Sequence, residues 1–179
     1  MISSQNIINK AKNIKLLACD IDGVLTRGEI TIFNDGEEIK IWDVKDGMGF
    51  SILSKTSPRI KTAWITGRQS RQAEKRVKDL KIDYLVSNCS NKKEALDKIS
   101  KENGFDMSKV AYIGDDIIDI AALKAVGFSA CPKDACEDVK NCVNYISSFN
   151  GGEGAVREII EKIVKAKSEW QRILDTYVC

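Results

Sequence analysis

Short apolar runs alternate with amphipathic stretches along the whole chain. Lys15–Asp20 (KLLACD), Ile60–Ile65, Val110–Ile113 and Phe128–Cys131 read as short apolar strands. Tyr84–Val86 is a briefer strand, and a last one is expected near Val143–Ile146. Between them the spacing predicts helices over Asp46–Lys55, Gln69–Leu80, Asn91–Glu102 and Ile117–Val126, with a final helix from about Gly154 to Asp175. Glu29–Phe33 and Glu37–Trp42 alternate around Asn34-Asp35-Gly36, a hairpin signal. Strands alternating with helices predict an α/β fold: a parallel central sheet covered on both faces, in three α/β/α layers. There is no repeat, low-complexity tract or linker, so a single domain over residues 1–179 is expected. Its hairpin flap would span about 28–42 and its C-terminal helix and tail about 154–179.

Composition narrows the class. The chain has 179 residues, 43% apolar and 30% charged, which excludes a disordered chain and suffices for a core without staples. No apolar run approaches the roughly 20 residues of a membrane span. The N-terminal MISSQNIINKAKNIK lacks the apolar stretch of a signal peptide, so a soluble, cytosolic protein is expected. The formal charge of +2 does not advertise a nucleic acid or membrane partner. Arg71, Lys75, Arg76 and Lys78, with Arg68 ahead of them, sit at helical spacing and read as a solvated helix face. The absence of histidine excludes a His-based triad and a His-ligated metal. The cysteines at Cys19, Cys89, Cys131, Cys136, Cys142 and Cys179 form no Cys-x-x-Cys pair and read as reduced thiols.

In a parallel sheet, ligands bind beyond the carboxyl ends of the strands. Four strand ends carry polar groups there: Asp20-Ile21-Asp22-Gly23, Thr66-Gly67-Arg68, Ser90-Asn91-Lys92, and Gly114-Asp115-Asp116 with Asp119 a turn later. Carboxylates gathered in a partly dry cleft repel one another and call for a cation among them. An all-oxygen donor set without histidine or paired thiolates favours a hard divalent ion, Mg²⁺ above others. Gly23 and Gly67 let backbone N–H groups approach an anion, Thr66 offers a hydroxyl, and Lys92 is a point charge suited to phosphate. Together these describe a phosphoryl-transfer site. In Asp20-x-Asp22, one carboxylate can attack phosphorus while the other handles the leaving-group proton; spacing alone does not say which.

The motifs DIDGVLT (Asp20–Thr26), ITGR (Ile65–Arg68), SNK (Ser90–Lys92) and GDDIID (Gly114–Asp119) resemble those of the haloacid dehalogenase-like phosphatases, whose fold is Rossmann-like. The stretch IFNDGEEIKIWDVKDGMG, with ITGRQS, VAYIGDDIIDIAALKAVG and GGEGAVREI, is similar to the 3-deoxy-D-manno-octulosonate (KDO) 8-phosphate phosphatases, over about residues 14–166. The resemblance implies that Asp20 is the nucleophile and forms an aspartyl-phosphate. Asp22 would be the acid and then the base. Mg²⁺ would be held by Asp20, Asp115 and the backbone carbonyl of Asp22. Thr66, Gly67 and Lys92 would hold phosphoryl oxygens, with Asp116 and Asp119 supporting the metal and Lys92 from behind. It further implies a place in lipopolysaccharide synthesis and a homotetramer in which hairpins pack together and the GGEGAVRE segment of one subunit helps close another's site. The chain departs from the family pattern at Ser87-Asn88, where Gln-Gly is frequent, and at Cys136, where His is frequent. Both lie outside the phosphoryl chemistry.

A sugar-acid phosphate also carries a carboxylate, which a forked cation recognises. Arg68 and Arg157 are the candidates, and the resemblance implies that Arg68 favours an eight-carbon substrate, because relatives acting on nine-carbon sialic-type acids often have an acidic residue there. Within the hairpin, Ile30, Ile32, Ile39 and Ile41 need a partner, either their own domain or other subunits. Trp170 and Tyr177 would dock on a neighbour or cover the sheet. Of other function classes, a phospho-accepting receiver domain would place its acidic pair after the first strand, whereas Asp115, Asp116 and Asp119 fall late. A catalytically idle regulatory subunit would be expected to lose at least one of these acids.

Overall fold

The computed structural model describes residues 4–178, with side chains from residue 8 onward. Met1–Ser3 of the polar leader and Cys179 lie outside the described residues. Helix α1 (Ser4–Lys12) precedes strand β1 (Leu16–Cys19) and the hairpin strands β2 (Thr31–Ile32) and β3 (Glu38–Ile39). Then follow α2 (Val44–Leu53), β4 (Lys61–Ile65), α3 (Arg71–Leu80), β5 (Tyr84–Val86), α4 (Lys92–Glu102) and β6 (Val110–Ile113). The chain ends with α5 (Ile120–Ala125), β7 (Phe128–Cys131), α6 (Glu137–Lys140), β8 (Tyr145–Ile146), α7 (Ala155–Ala166) and α8 (Trp170–Asp175).

Six strands form one parallel sheet in the order β5-β4-β1-β6-β7-β8. Leu16, Leu17, Ala18 and Cys19 of β1 are all buried, as a central strand covered on both faces requires. Alternation sends Leu17 and Cys19 to one face, where Trp64, Ile113 and Phe128 meet Phe50 and Leu53 of α2 and the α7 side chains. Leu16 and Ala18 face the other way and join Ile65, Val110 and Tyr112 against Leu96 and Ile99 of α4 and Leu123 of α5. Helix α7 buries Val156, Ile159, Ile160, Ile163 and Val164, the i, i+3, i+4 stripe of a core-facing helix. Trp42, just after the hairpin, stacks on Trp64 with ring centroids 5.5 Å apart and 22° between planes.

Helix starts follow their caps. Ser70 accepts from the Ala73 N–H (3.2 Å), so α3 begins at Arg71 rather than Gln69. Asn91 accepts from the Glu94 N–H (3.1 Å), so α4 begins at Lys92. Helix α2 runs over Val44–Leu53, two residues earlier than its periodicity predicts, because Asp43 accepts from the Lys45 N–H. The stretch expected as a helix from Ile117 opens as a 3₁₀ turn, Ile117–Asp119, and becomes α-helical only at Ile120. The long C-terminal helix is two helices: Lys167 caps α7, Ser168 turns left-handed at φ 60°, and α8 starts at Trp170. Trp170 packs against the core, and Lys55 lies 3.8 Å over the Tyr177 ring, so this tail docks on its own chain. Helices α1 and α6 were not anticipated; the first is polar and the second is four residues long.

The hairpin pairs only Thr31–Ile39 and Ile32–Glu38. Ile30, Ile32, Phe33, Ile39 and Ile41 remain exposed on the single chain, with Ile39 and Ile41 lining a groove beside Thr26 and Arg27. Cys19, Cys89, Cys131, Cys136 and Cys142 are all free thiols.

Candidate active site

Asp20 follows β1 directly and is buried. Lys92, the first residue of α4, is buried too, with its Nζ 3.0 Å from Asp20 Oδ2 and 2.6 Å from Asp119 Oδ1. Asp119 is fully buried and saturated. Its Oδ1 also accepts from the Tyr112 hydroxyl (2.7 Å), and its Oδ2 from the backbone N–H groups of Asp115 (3.1 Å) and Asp116 (3.4 Å). Asp119 therefore fixes both the lysine and the loop after β6. Carboxylate oxygens of Asp20, Asp115 and Asp119 lie within 4.8 Å of one another.

Gly23 has φ +88°, and a Cβ there would stand 2.0 Å from Asp115 Oδ2. Only glycine lets that carboxylate reach the loop after β1. A second clasp lies across the same loop: a Cβ at Gly151 would meet Gly23 O at 1.8 Å, and one at Gly152 the Thr26 carbonyl carbon at 2.6 Å. The Gly152 N–H donates to Val24 O (3.0 Å) and the Gly151 N–H to Asp134 Oδ1 (2.9 Å).

Electrostatics records the crowding. Burial, then the negative charges of Asp20 and Asp119, push Asp115 up to about 7. Burial pushes Asp20 up to about 6, Lys92 working against it and Asp119 with it. Burial pulls the Lys92 ammonium down, but Asp20 and Asp119 outweigh it and leave its pKa above the usual lysine value.

The other candidate residues surround this cluster in different ways. Thr66 is buried and its hydroxyl accepts from the Arg68 N–H (3.1 Å), while Gly67 is exposed at the loop tip. Asp22 is ion-paired with Lys40, whose side chain comes from the hairpin and is 5% exposed. Asp116 is exposed and accepts from the Ile117 N–H (2.7 Å), capping the 3₁₀ turn reciprocally with Asp119. Arg68 pairs with Glu38 of the hairpin, and Gln72 donates to the Glu38 carbonyl (2.6 Å). Arg157 stands apart. Its Nε donates to Glu161 (2.8 Å), and it lines a cavity of about 410 Å³ with Lys45, Phe149, Glu153 and Glu158, which includes none of the acid cluster.

The sequence profile of the haloacid dehalogenase-like hydrolases matches residues 84–160. The 3-deoxy-D-manno-octulosonate 8-phosphate phosphatase of Escherichia coli strain K12 is 37% identical over 166 residues, 93% of this chain and 87% of the relative. The chain belongs to this phosphatase family. Among solved structures, the Moraxella catarrhalis family enzyme in complex with magnesium, phosphate and KDO is 37% identical, covers 98% of this chain and 99% of its own, and superposes with a TM-score of 0.94. The cobalt-bound Haemophilus influenzae enzyme is 37% identical, covers 89% and 92%, and gives 0.84.

The residues of this phosphatase family member fit a hard cation. Asp115 Oδ1 is buried with no hydrogen-bond partner, the state of a ligand atom reserved for something other than protein. Two carboxylates with raised pKa values beside a saturated third make an all-oxygen donor set, which suits Mg²⁺.

Sequence reasoning missed four contributors. Glu38 and Lys40 share the face of the hairpin strand opposite Ile39 and Ile41, and that alternation was a usable signal. The Tyr112 hydroxyl lies within an apolar strand and had none. Asp46 of α2 is buried and accepts from the Arg157 N–H (2.8 Å), docking α2 on the start of α7. Burial pushes Asp46 up to about 6, held back by the N–H groups of Arg157, Gly154 and Val156.

Proposed function

We propose that this chain hydrolyses 3-deoxy-D-manno-octulosonate 8-phosphate to KDO and inorganic phosphate. The observation that carries the reading is the buried Asp20–Lys92–Asp119 constellation beside Asp115, on a chain 37% identical to an enzyme of that name across almost its full length. Asp20 attacks phosphorus, forming an acyl-phosphate bond as the bond to the sugar oxygen breaks. Asp22 delivers the proton that the departing alkoxide needs. Water then attacks the same phosphorus and gives a proton to Asp22, and the Asp20 carboxylate is released. Lys92 and Thr66, with the N–H groups around Gly67, hold the phosphoryl oxygens. Asp20 and Asp115, with the Asp22 carbonyl, would hold Mg²⁺, which when bound neutralises charge on the phosphoryl group. Asp116 and Asp119 keep the loop after β6 in place.

Arg68 is proposed to recognise the sugar carboxylate at its own chain's site, and Arg157, which stands apart from the acid cluster of its own chain, to do so at the site of a neighbouring subunit. An arginine rather than an acidic residue at position 68 supports the eight-carbon acid over a nine-carbon one. The exposed Ile30, Ile32, Ile39 and Ile41 support a homotetramer built on the hairpins. Among the described residues no helix is long and apolar enough to cross a membrane; the cytoplasm is the proposed location, with the product feeding lipopolysaccharide synthesis. Phosphate release from the eight- and nine-carbon sugar phosphates, each with and without Mg²⁺, tests the reading. Faster release from the eight-carbon ester, abolished by chelation, is expected; equal or slower release overturns the substrate assignment.

A further inference from the structure

The rim opposite the acid cluster carries the second charged feature of the molecule. A cleft of about 380 Å³ is lined by Lys12, Lys15, Arg59, Lys61, Lys109 and Lys167, with Phe105 on its wall. These residues cluster where strands begin: Lys15 precedes β1, Lys61 opens β4, and Lys109 precedes β6. The five steps along β1 from Lys15 to Asp20 separate this rim from Asp20 by about 16 Å. In a chain whose net charge is only +2, six cations around one cleft are a local concentration.

Of the six, Arg59 alone is in a direct ion pair among the described residues. Arg59 is bidentate to Asp83, both contacts at 2.9 Å. Lys61 donates to the neutral Asn103, and Lys167 to the carbonyls of Lys12 (3.0 Å) and Ile14 (3.1 Å). Lys12, Lys15, Lys61, Lys109 and Lys167 form no ion pair among the described residues. Two acids lie nearby without forming an ion pair with these lysines: Asp106, held below its usual range by Ser108 and then by Lys109 and Lys15, and Glu169, which pairs with Arg172 and accepts from the Ser57 N–H. Burial, with Lys15 beside it, holds Lys167 below the usual lysine range, Glu169 only partly offsetting them.

We propose that this cleft binds a diphosphate group, free or as the tail of a nucleotide. Ammonium groups are point charges suited to phosphate oxygens, and five lysines without an ion pair line one cavity at the lower end of ligand-pocket sizes. A single phosphate would leave much of the cleft and its charge unused, whereas Phe105 gives a nucleotide base an apolar wall. The site lies on the far rim from the hydrolytic centre, so its ligand is an effector or a tether rather than a substrate.

Calorimetric titration of the full-length protein with diphosphate and with ADP, in EDTA at low salt, tests this. One saturable site is expected, weakening as salt rises. Lys15→Gln/Lys109→Gln should weaken binding at least tenfold and leave phosphatase activity unchanged. Lys93→Gln/Lys98→Gln, a charge-matched change on the exposed face of α4, should alter binding less than twofold, and Asp20→Asn should not weaken it. Equal affinity for the two ligands assigns recognition to the phosphates; tighter ADP binding adds the Phe105 wall. The proposal is overturned by no saturable binding, by equal losses in the two lysine pairs, by a loss in Asp20→Asn, or by binding of ADP without diphosphate.

Discussion

The two rims of one sheet handle like charge in opposite ways. At the carboxyl ends, carboxylates of Asp20, Asp115 and Asp119 converge within 4.8 Å in a buried site. There the repulsion is met by fixed partners: Lys92, the Tyr112 hydroxyl, backbone N–H groups, and raised pKa values that invite a proton or a cation. At the amino ends, Lys12, Lys15 and Lys109 stand around an open cleft where water and salt do the screening. Burial therefore turns a charge cluster into a structural demand, whereas exposure leaves it as an available field.

The sharpest break of this contrast is Asp20→Asn. An amide cannot attack phosphorus, so turnover should fall by at least about a thousandfold, while the metal-free protein melts no lower than the parent because one buried charge is gone. Appreciable turnover in that variant would sink the covalent route. Gly23→Ala comes next. Its methyl would occupy the place of the Asp115 carboxylate and would take a backbone angle of +88°, so a loss on the order of a hundredfold in turnover is expected, with weaker Mg²⁺ dependence on titration.

The pH dependence of stability separates the rims directly. Asp20 and Asp115 are raised in the fold to about 6 and about 7, so between the unfolded carboxylate range and those values the folded state holds more protons than the unfolded chain. Metal-free stability should therefore fall as pH rises from about 4 to about 7. Mg²⁺ should raise the melting temperature more at pH 8 than at pH 5; a flat metal-free profile would contradict the crowding. Asp46, raised to about 6, adds a component of the same sign that Mg²⁺ does not reverse and Asp46→Asn removes.

A smaller effect concerns the sugar. Arg157→Ala should reduce turnover of the sugar-acid phosphate by about tenfold, with little change on an aryl phosphate; equal losses would assign Arg157 to its Glu161 pair and the α7 start. Least of all, Lys15→Gln/Lys109→Gln should change phosphatase turnover less than twofold, because the amino rim touches none of the reacting groups.

The carboxyl rim was legible because a parallel sheet brings its strand ends together, so Asp20, Thr66, Lys92 and Asp115 could be grouped from their positions after strands. What periodicity could not supply was the direction of individual side chains. Asp22 turns to Lys40, and Asp116 caps a turn, so the cluster contains fewer carboxylates than their number suggested. The break between α7 and α8 had no glycine or proline to announce it, since Ser168 itself takes the left-handed angle. The hairpin's paired strands are two residues each, shorter than its alternation implied, because Phe33 and Glu37 close the turn with a backbone bond of 2.8 Å and little ladder remains beyond it.

The stacking of Trp42 on Trp64 joins the base of the hairpin to the central sheet. Two indoles in that arrangement couple their excited states, and only Trp170 adds a further indole elsewhere. The near-ultraviolet dichroism of the unlabelled protein thus carries an optical signature of how the hairpin is seated, readable in real time while phosphate esters come and go.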